Sequence, residues 1–127
     1  MKRVVVAAQN MLVSEVVVSS LKKSDMIVEK ALTDTPEGIA SFCRAFFADV
    51  LFMDVTRFGS GSLESRMKTA DEAKKNAPKI KVCLVCDNVS DTELSFKVAE
   101  AKKMGLIDSF FYQSVPSDYI AAVIGAM

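Results

Sequence analysis

The residues best placed to do chemistry are an acid at the end of an apolar run and a pair of cysteines. Asp49-Val50-Leu51-Phe52-Met53-Asp54 is nearly continuous apolar sequence with an acid at each end, the pattern of a central strand covered on both faces. Asp54 therefore falls at the carboxyl end of a strand, where ligands and chemistry sit in parallel sheets. The same acid could simply cap the loop or helix that follows. Cys83 and Cys86 form a C-x-x-C motif. Redox pairs of this spacing sit at a helix N-terminus and zinc pairs on turns. Here the context is Ile80-Lys81-Val82-Cys83-Leu84-Val85-Cys86, a buried-strand pattern. Positions three apart on a strand point to opposite faces, so these two thiols are expected to pack into the core.

Composition removes several alternatives. The chain has 127 residues, 16 basic and 16 acidic side chains and no histidine. Without histidine there is no Ser-His-Asp triad, no Cys-His pair, no His-rich zinc site and no phosphohistidine. Zero net charge argues against a broad electrostatic grip on nucleic acid or anionic lipid. No apolar run approaches the roughly 20 residues of a membrane span. Met1-Lys2-Arg3 before Val4-Val5-Val6-Ala7-Ala8 looks like a signal peptide, but Gln9-Asn10 ends the apolar stretch too early. Three cysteines, an odd number, fit a reducing compartment, and a cytoplasmic location is expected.

The elements that must position these residues alternate along the chain. Arg3 to Ala8, Met26 to Leu32, Asp49 to Asp54, Ile80 to Cys86 and Asp108 to Tyr112 read as strands. Between them lie helices. Met11 to Lys23 ends in two lysines, although Val16-Val17-Val18 favours strand locally. Thr35-Pro36 starts a second helix, running to about Phe47. After the loop Gly59-Ser60-Gly61-Ser62, a polar helix runs to about Asn76 and stops before Pro78. Asp91 caps a fourth, with Leu94, Val98 and Ala101 on one stripe, and Gly105 terminates it. Pro116 starts the last, with Ile120, Val123, Ile124 and Met127 on one face. This is an α/β pattern, (βα)5, implying one domain with a parallel sheet between helices.

In this order and spacing the chain resembles the receiver domain of bacterial two-component response regulators over essentially its whole length. Lys2 to Asn10 matches the family's first strand and loop, and Asp49 to Asp54 the third strand ending in the phosphoacceptor. Gly105 to Val115 matches the final turn, strand and loop, with Phe110 at the switch aromatic. The resemblance implies a flavodoxin-like receiver fold, a doubly wound five-stranded sheet of order 2-1-3-4-5 spanning residues 1–127. It also implies phosphoacceptor Asp54, and Mg²⁺ held by Asp54, the Thr56 backbone carbonyl and an acid pair. A carboxylate attacking an anionic phosphoryl group needs that positive charge.

The sequence departs from the family pattern around the acceptor. The acid pair aligns with Ala8-Gln9, the phosphate-binding hydroxyl with Cys86 and the lysine with Gln113. Asn10 matches the family pattern but carries no charge, and Arg57-Phe58 replaces a Met-Pro. Arg57 reads as a solvated loop residue, with the alternative that it lends positive charge to Asp54. Mg²⁺ dehydrates reluctantly and is expected to bind weakly.

The resulting expectation is an atypical receiver domain that is not an enzyme. Phosphorylation at Asp54 is weakened or lost, and signalling proceeds by protein–protein docking. The partners implied are a histidine kinase or another signalling protein, and a second copy through the face made by the fourth and fifth helices and the fifth strand. Phe96, Tyr119 and Ile120 lie in that region. With no obvious C-cap before Met127, an effector domain is expected to have followed. The alternatives are a working receiver phosphorylated on Asp54, and a flavodoxin-like small-molecule module. The latter would want a glycine-rich phosphate loop after the first strand, where the sequence has Gln9-Asn10-Met11-Leu12-Val13-Ser14.

Overall fold

The computed structural model describes residues 1–127. The strands are β1 (Arg3–Ala7), β2 (Ile27–Lys30), β3 (Val50–Asp54), β4 (Lys81–Cys86) and β5 (Ser109–Tyr112). The helices are α1 (Met11–Lys23), α2 (Pro36–Phe46), α3 (Leu63–Asn76), α4 (Thr92–Lys103) and α5 (Ser117–Gly125), with a short 3-10 turn at Gly59–Gly61. The five strands form one sheet in the order β2-β1-β3-β4-β5, and every neighbouring pair is parallel. The expected architecture and strand order are those observed.

Alternation along the central strands divides the core into two layers. Leu51 and Met53 of β3 and Val82, Leu84 and Cys86 of β4 pack with α2, α3 and α4. Val50 and Phe52 of β3 and Cys83 and Val85 of β4 pack with α1 and α5. The two thiols of the C-x-x-C thus lie on opposite faces, as a strand period of two requires. β3 is buried at all five positions, which accounts for its nearly unbroken apolar sequence.

The valine triplet of α1 is helical despite its local preference. The Asn10 side chain accepts hydrogen bonds from the Leu12 and Val13 N–H groups at the start of the helix. Val17, Val18 and Leu21 are then buried against the sheet, and tertiary burial outweighs propensity. β2 is shorter than expected: Met26 and Ala31 fall outside it, and Leu32 is exposed. As an edge strand it pairs only with β1, so little selects for length. Gly105, with φ of 79°, ends α4 in the left-handed region, as its place after Lys102-Lys103 suggested.

Asp108, just before β5, ties the lower end of the sheet to α3. Its carboxylate accepts from Lys74 Nζ at 2.8 Å and from the Val82 N–H at 2.8 Å. Burial pushes the Asp108 carboxyl up, but the Lys74 and Val82 hydrogen bonds outweigh it and hold the group below the usual carboxylate range. A depressed folded-state pKa contributes stability that is present above the unfolded value of about 3.9 and is lost as pH falls through the folded value. Asp108→Asn is therefore expected to be less stable than the parent at neutral pH, with the gap narrowing below about pH 4. Urea unfolding at the two pH values measures this.

Candidate functional site

The carboxyl ends of β1 and β3 bring the backbone of Gln9 and Asn10 onto the side chain of Asp54. The Gln9 N–H donates to Asp54 Oδ1 at 3.0 Å, and the Asn10 N–H donates to Oδ2 at 2.8 Å. Asn10 is also the N-cap of α1, so the carboxylate faces the positive end of that helix. Asp54 itself is buried, with 1% of its surface exposed.

The third partner of the carboxylate comes from α3. Arg66 Nη2 donates to Asp54 Oδ1 at 2.9 Å, and Arg66 Nε donates to the Asp54 carbonyl oxygen at 2.8 Å. The Arg66 side chain is 2% exposed, so this is a fully buried ion pair. Its position follows from the local sequence. Ser62 caps α3 by accepting from the Ser65 N–H, which starts the helix at Leu63. From there Arg66, Thr69, Ala70 and Ala73 fall on one buried stripe at helical spacing. Three of those four residues are small, letting α3 approach the sheet closely enough for one long side chain to reach under Asp54.

Sequence reasoning treated α3 as a polar helix and missed Arg66. A signal was present: an arginine one turn after a serine cap, opening a stripe that continues with Thr69, Ala70 and Ala73. The hydropathy pattern hides it because the buried face begins with a charged residue.

The loop between β3 and α3 closes over the pair. The Thr56 N–H donates to the Gly61 carbonyl at 2.8 Å, and the Gln9 side-chain amide donates to Ser60 Oγ. A Cβ on Gly61 would lie 2.5 Å from Thr56 Oγ1, so any larger residue there would force the Thr56 side chain to move. Arg57 points elsewhere. Its guanidinium forms a bidentate pair with Asp91, at 2.9 and 2.7 Å, while 56% of its side chain stays exposed. The expected solvated loop residue is thus accompanied by a partner, and the positive charge at Asp54 comes from Arg66 instead. Asp91 also caps α4 through the Leu94 N–H, so the Arg57 pair fastens this loop to α4.

The remaining family positions are not drawn into contact with the carboxylate. Ala8 is half-buried, and Gln9 contributes its backbone to Asp54 while its side chain turns to Ser60. Cys86 is fully buried in the core under α2, α3 and α4. Phe110 is half-buried against the same core and meets Tyr112 edge-on, with centroids 5.5 Å apart. Gln113 is exposed and gives its backbone N–H to the Cys86 carbonyl. Burial pushes the Cys86 thiol up to about 11 and the Cys43 and Cys83 thiols up to about 12. All three are poor nucleophiles in the folded state.

The pocket does not suit Mg²⁺. No cluster of three His, Cys, Asp or Glu side chains exists in the fold. Asp54 is the only acid at the strand ends of β1 and β3, and both its oxygens already accept hydrogen bonds. The guanidinium beside it neutralises the charge that would attract a cation. The expected ligand pair of Asp54 and the Thr56 carbonyl thus faces a carboxylate committed to Arg66.

No protein-family model matches the sequence, and no curated protein matches it. Solved structures do. The chain is similar to a CheY-like receiver domain protein of Methanospirillum hungatei JF-1, with TM-score 0.73, 16% identity, 99% of this chain covered and 92% of that one. It is similar to a CheY-like protein, tadZ, of Pseudomonas aeruginosa PAO1, with TM-score 0.74, 19% identity, and 99% and 98% covered. A third is the response regulator TrrA of Thermotoga maritima in complex with Mg²⁺ and BeF, with TM-score 0.71, 16% identity, and 99% and 98% covered. The fold is thus that of CheY-like response regulator receiver domains.

Two outcomes follow from this geometry. Removing one partner of a buried ion pair leaves an uncompensated charge, at a cost of about 3–5 kcal/mol. Arg66→Met and Asp54→Leu are each expected to destabilise by roughly that amount. The double variant should lose much less than their sum, as a double-mutant cycle by chemical denaturation would report. The thiols offer a second check: native protein should react negligibly with a thiol-specific reagent, and all three cysteines should react once denatured.

Proposed function

We propose that this chain is an atypical receiver domain of two-component signalling that acts by protein–protein docking and has lost Mg²⁺-dependent phosphorylation at Asp54. The observation that carries this is the state of the Asp54 carboxylate. A phosphoacceptor must present a free oxygen in line with the phosphoryl group, with a metal and a cation neutralising the developing charge. Here each oxygen accepts a backbone N–H, and Oδ1 also accepts from buried Arg66. Freeing the carboxylate leaves the Arg66 guanidinium buried without its counter-charge, which is strongly unfavourable. The neutral Ala8, Gln9 and Gln113 offer no compensating charge. The packed Cys86 has no hydroxyl to receive a phosphoryl oxygen.

A docking role is supported by apolar side chains left on the surface. Phe96 and Met104 on and just after α4, Leu106 before β5, and Tyr119 on α5 are exposed, whereas Ile120 is core. That side is the surface we assign to a second copy or to a signalling partner such as a histidine kinase. The role assigned is non-enzymatic and cytoplasmic, in keeping with three unpaired, buried thiols. It involves no direct contact with nucleic acid, in keeping with zero net charge. A flavodoxin-like ligand module is disfavoured because the amides after β1 that would cradle a phosphate are already bonded to Asp54.

Intact mass after incubation with acetyl phosphate and Mg²⁺ tests the proposal. No phosphoryl adduct is expected, in a sample shown by circular dichroism to be folded. An adduct that forms readily and disappears in Asp54→Asn would mean a working receiver.

A further inference from the structure

We infer that Arg66 is the resident cation of the Asp54 pocket, supplied by the chain itself and excluding divalent metal from it. The inference rests on the proposed loss of Mg²⁺ chemistry and names what replaces it. A buried carboxylate needs positive charge or full hydrogen bonding to remain ionised. In this pocket the positive end of α1 and two backbone N–H groups provide part of that, and the guanidinium provides the one full charge. Arg66 also donates to the Asp54 carbonyl, so one side chain occupies both the carboxylate and the main-chain oxygen of the same residue. The carboxylate is the charged oxygen donor that Mg²⁺ or Mn²⁺ would need here. A tethered guanidinium competes at a high effective concentration, because it pays no translational entropy to bind. Its planar fork spans Asp54 Oδ1 and the Asp54 carbonyl oxygen, a two-point grip that a lysine could not make. The domain is thereby biased towards one state at this site, with Asp54 paired to Arg66.

The other positive side chains towards this end of the sheet are paired elsewhere, Lys30 with Glu15 and Lys97 with Glu93 among them. Arg57 is committed to Asp91, and Lys68 lies beside Glu37 on the surface. The closure of the loop over the pair through Gln9, Ser60, Thr56 and Gly61 keeps solvent cations out as well.

Paramagnetic Mn²⁺ reads this directly. In the unaltered domain the amide signals of Gln9 and Asn10 should keep their intensity at millimolar Mn²⁺. In Arg66→Ala the pocket holds a carboxylate without its cation, and the signals nearest the pocket, Gln9 and Asn10 first, should be lost. In Asp54→Asn/Arg66→Ala they should be retained. Broadening in the unaltered domain equal to that in Arg66→Ala overturns the inference. So does a folded Arg66→Ala whose Gln9 and Asn10 signals ignore Mn²⁺. If Arg66→Ala is unfolded in metal-free buffer, Mn²⁺ or Mg²⁺ should restore its far-ultraviolet circular dichroism, and no restoration overturns it too. Mass analysis separates the two ideas. An acetyl phosphate adduct on the unaltered domain defeats the proposed function, whereas Arg66→Ala that binds Mn²⁺ and remains unmodified leaves both standing.

Discussion

Buried between β3 and α3, the ion pair of Asp54 and Arg66 can be satisfied in only one arrangement, and much of the upper end of the molecule is organised around it. Arg66 must come from the sheet-facing stripe of α3, so the first turn of that helix is pinned to the end of β3. The two amides of Gln9 and Asn10 must point at the carboxylate, so the entry to α1 is pinned as well. Replacing a buried pair by well-packed apolar residues is often neutral or stabilising. The pair is therefore better understood as a device for registry than as a source of net stability. The stability resides in the two apolar layers on either face of the sheet.

The same pair changes what the strand ends can do chemically. A carboxylate at the mouth of a parallel sheet, facing a helix N-terminus, is poised to bind a cation or to act as a nucleophile. Once a guanidinium is locked against it, the local charge sums to zero and both oxygens accept hydrogen bonds. The pair then serves as an internal brace between β3 and α3. The neutral residues around it agree with that role. Ala8, Gln9 and Gln113 would be poor partners for Mg²⁺ and phosphate, but they impose no like charge on a pair that is already balanced. Cys86, with a thiol pushed up by burial, behaves as a small apolar residue at the end of β4.

The loops reinforce the closed state by different means. Gly61 allows the backbone to pass close to Thr56, the Gln9 side chain reaches Ser60, and the bidentate Arg57–Asp91 pair fastens the loop to α4 from outside. The last of these is largely solvated and contributes modestly, since exposed ion pairs are screened and entropically costly. The exposed side chains of Phe96, Met104, Leu106 and Tyr119 belong to α4, the turn before β5, and α5, none of which contributes a partner to Asp54.

The order of elements and most of the core could be read from the sequence because they rest on local periodicity. Alternation placed Cys83 and Cys86 on opposite faces, Gly105 marked the end of α4, and the apolar run before Asp54 announced a central strand. The length of β2 was less legible, because an edge strand paired on one side leaves few constraints in its residues. The candidate site was half legible. Asp54 could be found, since strand ends are visible in sequence, and so could the absence of charge at Ala8, Gln9 and Gln113. Its partner could not be found, because Arg66 is twelve residues away on another element and its type suggests a solvated helix face. Nor could Arg57, near in sequence, be assigned to Asp91 rather than Asp54. Local patterns determine which backbone segments form and which faces are apolar. Which charge meets which is decided when helix and strand pack, because pairing energy depends on distances and desolvation that exist only in the folded chain.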